Sequence, residues 1–257
     1  MISRGRKELA RAERKNLSAL CFSEDHMRVN AVIVAAGESK RMGGGLPKTL
    51  MNLAGRPLIL RTLDRFAASQ IRRAILVVPE KQRQKFEQII RADRKLSGLE
   101  CVLESGGARR QDSVRRGLSR LDKDCEVAVI HDGARPLVSP ELIDRCVELA
   151  LKEGAAVVGV PVRDTIKVVS KSRKIDSTPP RDSLWEIHTP QAFRVEIIRA
   201  AHLRAEQEGI EATDDAMLVE RLGKTVAVLE GERSNLKITT PEDFLFAEAM
   251  IRAGRIV

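Results

Sequence analysis

The chain has 257 residues, 43% of them hydrophobic, only 3% aromatic and none of them tyrosine, which suits one large α/β domain, alone or with an appendage, and a core of Val, Ile, Leu and Ala. No apolar run approaches the ~18–20 residues of a membrane-spanning helix, so a soluble, cytoplasmic protein is expected and a transmembrane one excluded. The cationic surplus, 45 Lys and Arg against 36 Asp and Glu for a net charge of +9, is spread along the chain without interleaved aromatics, which argues against a nucleic-acid stacking platform and fits a polyanionic small substrate at least as well.

Residues 1–28 are basic and helix-prone, with seven Lys/Arg against four Asp/Glu and no apolar segment of the signal-peptide kind. They are expected to form an extension without a catalytic role, and Met27, just ahead of the first strand, is a candidate natural start. From Asn30 onward strand and helix signals alternate. The run Val32-Ile33-Val34-Ala35-Ala36 reads as a buried parallel strand that breaks at Gly37 into a loop with four glycines and the cations Lys40, Arg41 and Lys48.

Glycine lets backbone N–H groups come close to an anion, because no Cβ stands in the way. The loop is not a P-loop, since the two glycine positions that precede Lys48-Thr49 in that pattern are Met42 and Pro47. Nor is it a dinucleotide fingerprint, since Gly37 is followed by Glu38-Ser39. With Arg41 and Lys48 directly behind a buried strand, the ligand it suits is a nucleoside triphosphate.

Beyond the loop, Pro57 opens a helix with the stripe Leu58, Ile59, Leu63 and Phe66. Ala74–Val78 reads as the second strand, Glu80–Ala92 as a polar helix, Leu99–Leu103 as the third strand and Glu126–Ile130 as the fourth. Ser139, Pro140 and Gly154 mark a helix over Pro140–Lys152, and Ala155–Val160 is the fifth strand. The stretch 161–184 breaks the rhythm: short apolar pieces flank the polar turn Ser170–Lys174, which predicts a β-ribbon reaching out of the domain. Such a ribbon is marginal in water, so a partner should cover it. His188–Phe193 leads into a helix over Val195–Gln207, Thr213 and Asp214 can cap the next, and Gly223 stops it. Thr225–Leu229 and Asn235–Ile238 read as strands, and Thr240-Pro241-Glu242-Asp243 opens the last helix. The four cysteines, Cys21, Cys101, Cys125 and Cys146, show neither a Cys-x-x-Cys pair nor a histidine at ligand spacing, which reads as reduced thiols used for packing rather than a zinc site.

Ala35-Ala36-Gly37, Arg41-Met42 and Pro47-Lys48 together resemble the signature loop of the 2-C-methyl-D-erythritol 4-phosphate cytidylyltransferases, within the wider sugar- and polyol-phosphate nucleotidyltransferases. Ser39 stands where that family more often has Gly, and Thr49 where it usually has Gln. Four later stretches extend the resemblance: Gly106–Ser113, His131–Pro136, Arg163–Lys167 with Arg181, and Ser234–Lys237. The resemblance implies a single Rossmann-like α/β domain over 29–257, with a mostly parallel sheet flanked by helices and a protruding β-arm at 161–184. It implies CTP and 2-C-methyl-D-erythritol 4-phosphate as partners, a homodimer through the arm, and neither nucleic acid nor membrane. The expected CTP contacts are Ala35, Ala36, Gly37, Glu38 and Ser39 on the first loop, Gly107, Arg110, Asp112 and Ser113 on the second, and Asp132. The expected acceptor-phosphate contacts are Asp132, Arg135, Thr165, Arg181 and Lys237, with Thr165 and Arg181 coming from the neighbouring subunit.

A phosphomonoester has a second pKa of about 6 and is already a nucleophilic anion at neutral pH. The reaction therefore requires in-line placement and relief of charge rather than a base or a covalent relay. Arg41 and Lys48 are the expected catalytic groups, and His131 reads as a packed histidine. Mg²⁺ is expected on the triphosphate oxygens with no side-chain cage. The alternatives are a ribitol 5-phosphate cytidylyltransferase, a basic nucleic-acid-binding protein, and a domain that binds a nucleotide without turning it over.

Overall fold

The computed structural model describes residues 28–37 and 47–254. The basic extension, Met27 and Cys21 lie outside the described residues. Five strands carry the parallel frame: β1 (Val29–Val34), β4 (Arg73–Val78), β5 (Glu100–Ser105), β6 (Val127–Asp132) and β7 (Ala155–Pro161). A small hairpin, β2 (Asn52–Leu53) with β3 (Arg56–Pro57), lies between β1 and β4, and β8 (Val168–Val169) with β9 (Ile175–Ser177) forms the arm. β10 (Trp185–Arg194) and β11 (Ala227–Glu230) complete a seven-stranded sheet in the order β11-β7-β10-β6-β1-β4-β5. Only β10 runs against its neighbours, pairing antiparallel with both β6 and β7.

The central strands are apolar on both faces because helices cover both. Along β1, Ala31 and Ile33 join one buried cluster and Val32 the other; β4 and β6 split in the same way. The first face receives α1 (Leu58–Ala67), α2 (Arg83–Arg91) and α4 (Pro140–Glu153); the second receives α3 (Arg110–Leu118), α5 (Val195–Gln207) and α6 (Asp215–Arg221). This strict alternation makes a parallel sheet's continuous apolar run into two separate packing surfaces. The last helix, α7 (Pro241–Arg252), covers a smaller cluster of Leu53, Leu58, Leu137 and Ile238. Among the described residues no helix is long and apolar enough to cross a membrane.

The local stop and start signals act as their chemistry dictates. Ser139 accepts from the Leu142 N–H, and Gly154 takes φ +90° at the end of α4. Asp214, rather than Thr213, caps α6 by accepting from Met217 N–H at 3.0 Å. Thr240 and Asp243 form a reciprocal capping box on α7. Cys125 and Cys146 are buried and Cys101 half-buried, and burial pushes the thiols of Cys101, Cys125 and Cys146 up to about 11, 11 and 12.

Three expectations need correction. The stretch Glu80–Ala92 opens as a 3₁₀ turn at Glu80–Gln82 before α2 begins. His188–Phe193 does lead into the helix at Val195, but as the heart of β10, a ten-residue strand not expected there, with a register break between His188 and Gln191 and a cis Thr189–Pro190 bond. An internal proline argues against a central strand in sequence, and here the irregularity absorbs it. Asn235–Ile238 is not a strand. It is a crossing segment tied to the sheet's end by Asn235 Nδ2 to Thr189 O at 2.8 Å and by Ile238 N–H to Ala134 O at 2.9 Å.

Candidate active site

β1 has β4 on one side and β6 on the other, so the order reverses there and a crevice opens at the strands' carboxyl ends. Ala35, just past β1, donates its N–H to Val77 O at 2.7 Å, and Gly133, just past β6, donates to Val34 O at 2.8 Å. These bonds extend the sheet by one residue and fix where each loop departs. Gly37 is exposed at the crevice. Glu38, Ser39 and Arg41 lie outside the described residues. Beyond them, Lys48 begins a 3₁₀ turn and its Nζ donates to Ile238 O at 2.7 Å.

The second loop, between β5 and α3, packs against the first. A Cβ on Gly106 would stand 2.2 Å from Ala36 Cβ, and one on Gly107 2.4 Å from Asp112 Cβ. Only glycine allows this approach. Ser113 is buried; its hydroxyl accepts from Gly107 N–H at 3.0 Å and donates to Arg109 O at 3.1 Å. Asp112 accepts from the Arg109 backbone N–H and from its guanidinium, which holds its carboxyl below the usual range against the opposing effect of burial. In this state both side chains shape the loop, and Arg110 is the one that reaches across to the next strand.

That reach ends on Asp132, the last residue of β6 and only 7% exposed. Its Oδ1 accepts from Arg110 Nε at 3.1 Å, its Oδ2 lies 2.8 Å from Lys237 Nζ, and Arg135 Nε is 3.8 Å away. Burial alone would raise the Asp132 carboxyl; Arg110, Lys237 and Arg135 outweigh it and hold it far below the usual carboxylate range. Arg135 is itself 7% exposed, donates from Nη1 to Asn235 O at 2.7 Å, and keeps a buried Nε with no hydrogen-bond partner. A buried guanidinium with an unmet donor is costly unless something anionic completes it.

His131 is fully buried between the Arg135 carbonyl and the Thr189 hydroxyl, 3.1 Å from each, and packs on Phe66. Burial pushes its imidazole down to about 4, so it is neutral at physiological pH. The arm residues stand apart. Thr165 and Arg181 are exposed, Arg181 donates to the Arg163 carbonyl at 2.9 Å, and neither has a hydrogen bond or ion pair to the Asp132 cluster within this chain. Of the expected acceptor contacts, the fold therefore gathers Asp132, Arg135 and Lys237 and leaves Thr165 and Arg181 outside.

Sequence reasoning missed three supports. Thr189 accepts from the Asp132 N–H at 3.0 Å, Asn235 braces Arg135, and Asp215 binds Arg110 Nη1 at 2.7 Å. The adjacent pair Asp214-Asp215 held a clue to the last: one acid suffices for the cap.

The family model for 2-C-methyl-D-erythritol 4-phosphate cytidylyltransferase (IspD) matches residues 29–253. The chain belongs to the IspD family. It is 45% identical over 229 residues to the 2-C-methyl-D-erythritol 4-phosphate cytidylyltransferase of Bacillus velezensis, covering 88% of this chain and 97% of that one. It is 44% identical to the protein of the same name from Caldanaerobacter subterraneus, covering 88% and 100%. Among solved structures, the Thermus thermophilus cytidylyltransferase superposes with a TM-score of 0.72 at 36% identity, over 88% of this chain and all of that one. The 4-diphosphocytidyl-2C-methyl-D-erythritol synthase of Anaerococcus prevotii superposes with a TM-score of 0.78 at 31% identity, over 89% and 100%. The IspD match begins at the first strand, so the basic extension falls outside it.

Proposed function

We propose that this chain transfers the cytidylyl group of CTP to the phosphate of 2-C-methyl-D-erythritol 4-phosphate. The products are 4-diphosphocytidyl-2-C-methyl-D-erythritol and pyrophosphate, a step of non-mevalonate isoprenoid synthesis. The observation that carries the reading is the convergence of Arg110, Arg135 and Lys237 on buried Asp132 at the carboxyl end of β6, beside the glycine loop of an IspD-family chain. Two acidic ligands, a triphosphate and a phosphomonoester, suit a crevice in which three cations converge on one carboxylate.

The acceptor oxygen is already anionic, so the protein's task is alignment and charge relief at the α-phosphorus. Lys48 and Arg41 supply that relief. The Ala35–Gly37 backbone approaches the triphosphate, and the Gly107–Ser113 loop reads the base and ribose. Arg135 and Lys237 hold the acceptor phosphate while Asp132 accepts from hydroxyls. Neutral, enclosed His131 takes no proton. Among the described residues no three acidic, histidine or cysteine side chains converge on a metal position, and Asp132 is already engaged by cations. A divalent ion such as Mg²⁺, held by triphosphate oxygens, would supply charge neutralisation for the leaving pyrophosphate.

The arm supports a homodimer. Ile166, Val168, Val169, Ile175, Trp185 and Ile187 are all exposed large apolar side chains on or beside a two-stranded ribbon, an arrangement that needs cover. A second copy lying against it would bring Thr165 and Arg181 to its neighbour's acceptor site. The proposed small anionic ligands fit a cytoplasmic enzyme rather than a nucleic-acid binder.

The test is pyrophosphate release with each of the four nucleoside triphosphates against methylerythritol phosphate and ribitol 5-phosphate. Release with CTP and methylerythritol phosphate above every other pairing is expected. Faster release with ribitol 5-phosphate would reassign the acceptor. No release, together with tight and salt-dependent binding to nucleic acid, would overturn the enzyme reading.

A further inference from the structure

Behind the site a buried line of charge runs from β6 through α3 and α6 to α5. Arg110 uses two edges of its guanidinium: Nε faces Asp132 Oδ1 at 3.1 Å and Nη1 faces Asp215 Oδ2 at 2.7 Å. Asp215 is 1% exposed and its other oxygen, Oδ1, lies 3.0 Å from His202 Nε2. His202 is 2% exposed and sits in the apolar stripe of α5 with Val195, Ile198, Ala201 and Ala205. Asp215 adds a negative charge to the first turn of α6 but is not needed as its cap, and His202 adds nothing to α5 that an apolar residue would not. Asp214 already caps α6, and an imidazole in an apolar stripe is a cost that leucine would avoid. His202 Nδ1 is buried without a partner, and Nε2 is the ring nitrogen that faces the Asp215 carboxylate, which can only accept, so Nε2 is the donor.

We infer that Asp215, held in place by His202, is a positioning residue for the cytidylyl-transfer site: it fixes the Arg110 guanidinium so that one edge meets Asp132 and the loop that carries Arg110 stays set for CTP. The inference rests on the proposed role of Arg110 and Asp132 in binding the substrates. Its physical content lies in the planar fork of arginine, which can be pinned from two sides at once. Without Asp215, a guanidinium beside Asp132, Arg135 and Lys237 feels one carboxylate and two like charges, and its orientation is no longer determined. Without the His202 donor, the Asp215 carboxylate loses the bond that aims its second oxygen at Arg110.

The experiment measures CTP affinity by calorimetry, steady-state constants and melting temperature for wild type, Asp215→Asn, His202→Leu and His202→Gln, and repeats Asp215→Asn in an Arg110→Gln background. Asp215→Asn keeps shape and removes charge; it is expected to weaken CTP binding by about tenfold while kcat changes far less. His202→Leu should weaken it by about threefold, and His202→Gln, whose amide can donate from a similar place, should restore it. In the Arg110→Gln background Asp215→Asn should add almost nothing, because the two act as one unit. Unchanged CTP affinity in both Asp215→Asn and His202→Leu, with only a lower melting temperature, would overturn the inference, as would an undiminished Asp215→Asn effect when Arg110 is already gone. If Asp215→Asn fails to fold, the His202→Leu and His202→Gln pair decides the matter alone. Wild type that binds CTP but releases no pyrophosphate would sink the functional reading and leave this test standing.

Discussion

The Lys48 ammonium donates to the Ile238 carbonyl at 2.7 Å, which ties the lysine at the end of the glycine loop to the segment carrying Lys237. Lys237 in turn lies 2.8 Å from Asp132. The proposed CTP side and the proposed acceptor side are thus joined through one short crossing segment of backbone. A cation that supports the pentavalent phosphorus matters more to the transition state than to the bound substrate. Lys48→Ala should therefore lower kcat by about 10²–10³-fold with a much smaller change in CTP affinity. Steady-state kinetics and calorimetry on the same sample check this; near-normal turnover would remove Lys48 from the mechanism.

Arg181 sits on the exposed arm, apart from the Asp132 cluster of its own chain. If the arm completes the site of a second copy, Arg181→Ala should mainly raise the acceptor KM. Mixing Lys48→Ala with Arg181→Ala chains should also restore activity. In a mixed dimer one site would combine an intact Lys48 with an intact Arg181 from its neighbour. After random re-association about a quarter of all sites would be whole. Activity in the mixture equal to the mean of the two variants alone would place Arg181 outside the partner's site.

How legible all this was depends on range. The helix over Pro140–Glu153 could be read outright, because Ser139, Pro140 and Gly154 act within a turn of where they stand. The central strands were legible because burial on both faces leaves an unbroken apolar run. β10 was not, since Pro190 inside it mimics a loop and the strand owes its place to β6 and β7 on either side. The site divided similarly. Arg110, Asp132, Arg135 and Lys237 were each marked by motif, yet nothing local says that one carboxylate would receive all three cations. Asp215 and Arg110 are 105 residues apart, and a pair at that separation meets only once the sheet has brought α3 and α6 together.

His131 offers a pH test of stability. Its folded pKa is pushed down to about 4 by burial, from an ordinary 6.5. Between those values the unfolded chain binds the proton and the folded chain does not, so stability rises with pH across the window and is lost as pH falls from about 6.5 towards 4. The slope from this one group approaches about 1.4 kcal/mol per pH unit at its steepest. Asp132, held well below the usual carboxylate range, contributes in the same direction only below about pH 4. Melting temperatures from pH 7 to 4.5 should fall for wild type and fall less steeply for His131→Asn, whatever the absolute loss from its missing hydrogen bonds. Parallel slopes would mean that the imidazole is not the group titrating.

Two glycines separate folding from ligand approach. A Cβ at Gly106 would collide with Ala36 Cβ at 2.2 Å, whereas one at Gly37 would meet nothing within 4 Å among the described residues. Gly106→Ala should therefore push the two loops apart, costing about 1–3 kcal/mol of stability and, if CTP binds between them, weakening CTP binding as well. Gly37→Ala should leave the melting temperature within a few degrees of wild type, because neither its backbone angle nor any of the described residues around it opposes a methyl group. If the Gly37 backbone closes on a phosphate, the same methyl stands in the ligand's way, and CTP affinity should fall about tenfold or more without loss of stability. Thermal melts and CTP titrations of the two variants side by side check both statements. Unaltered CTP affinity in Gly37→Ala would move the triphosphate off this turn.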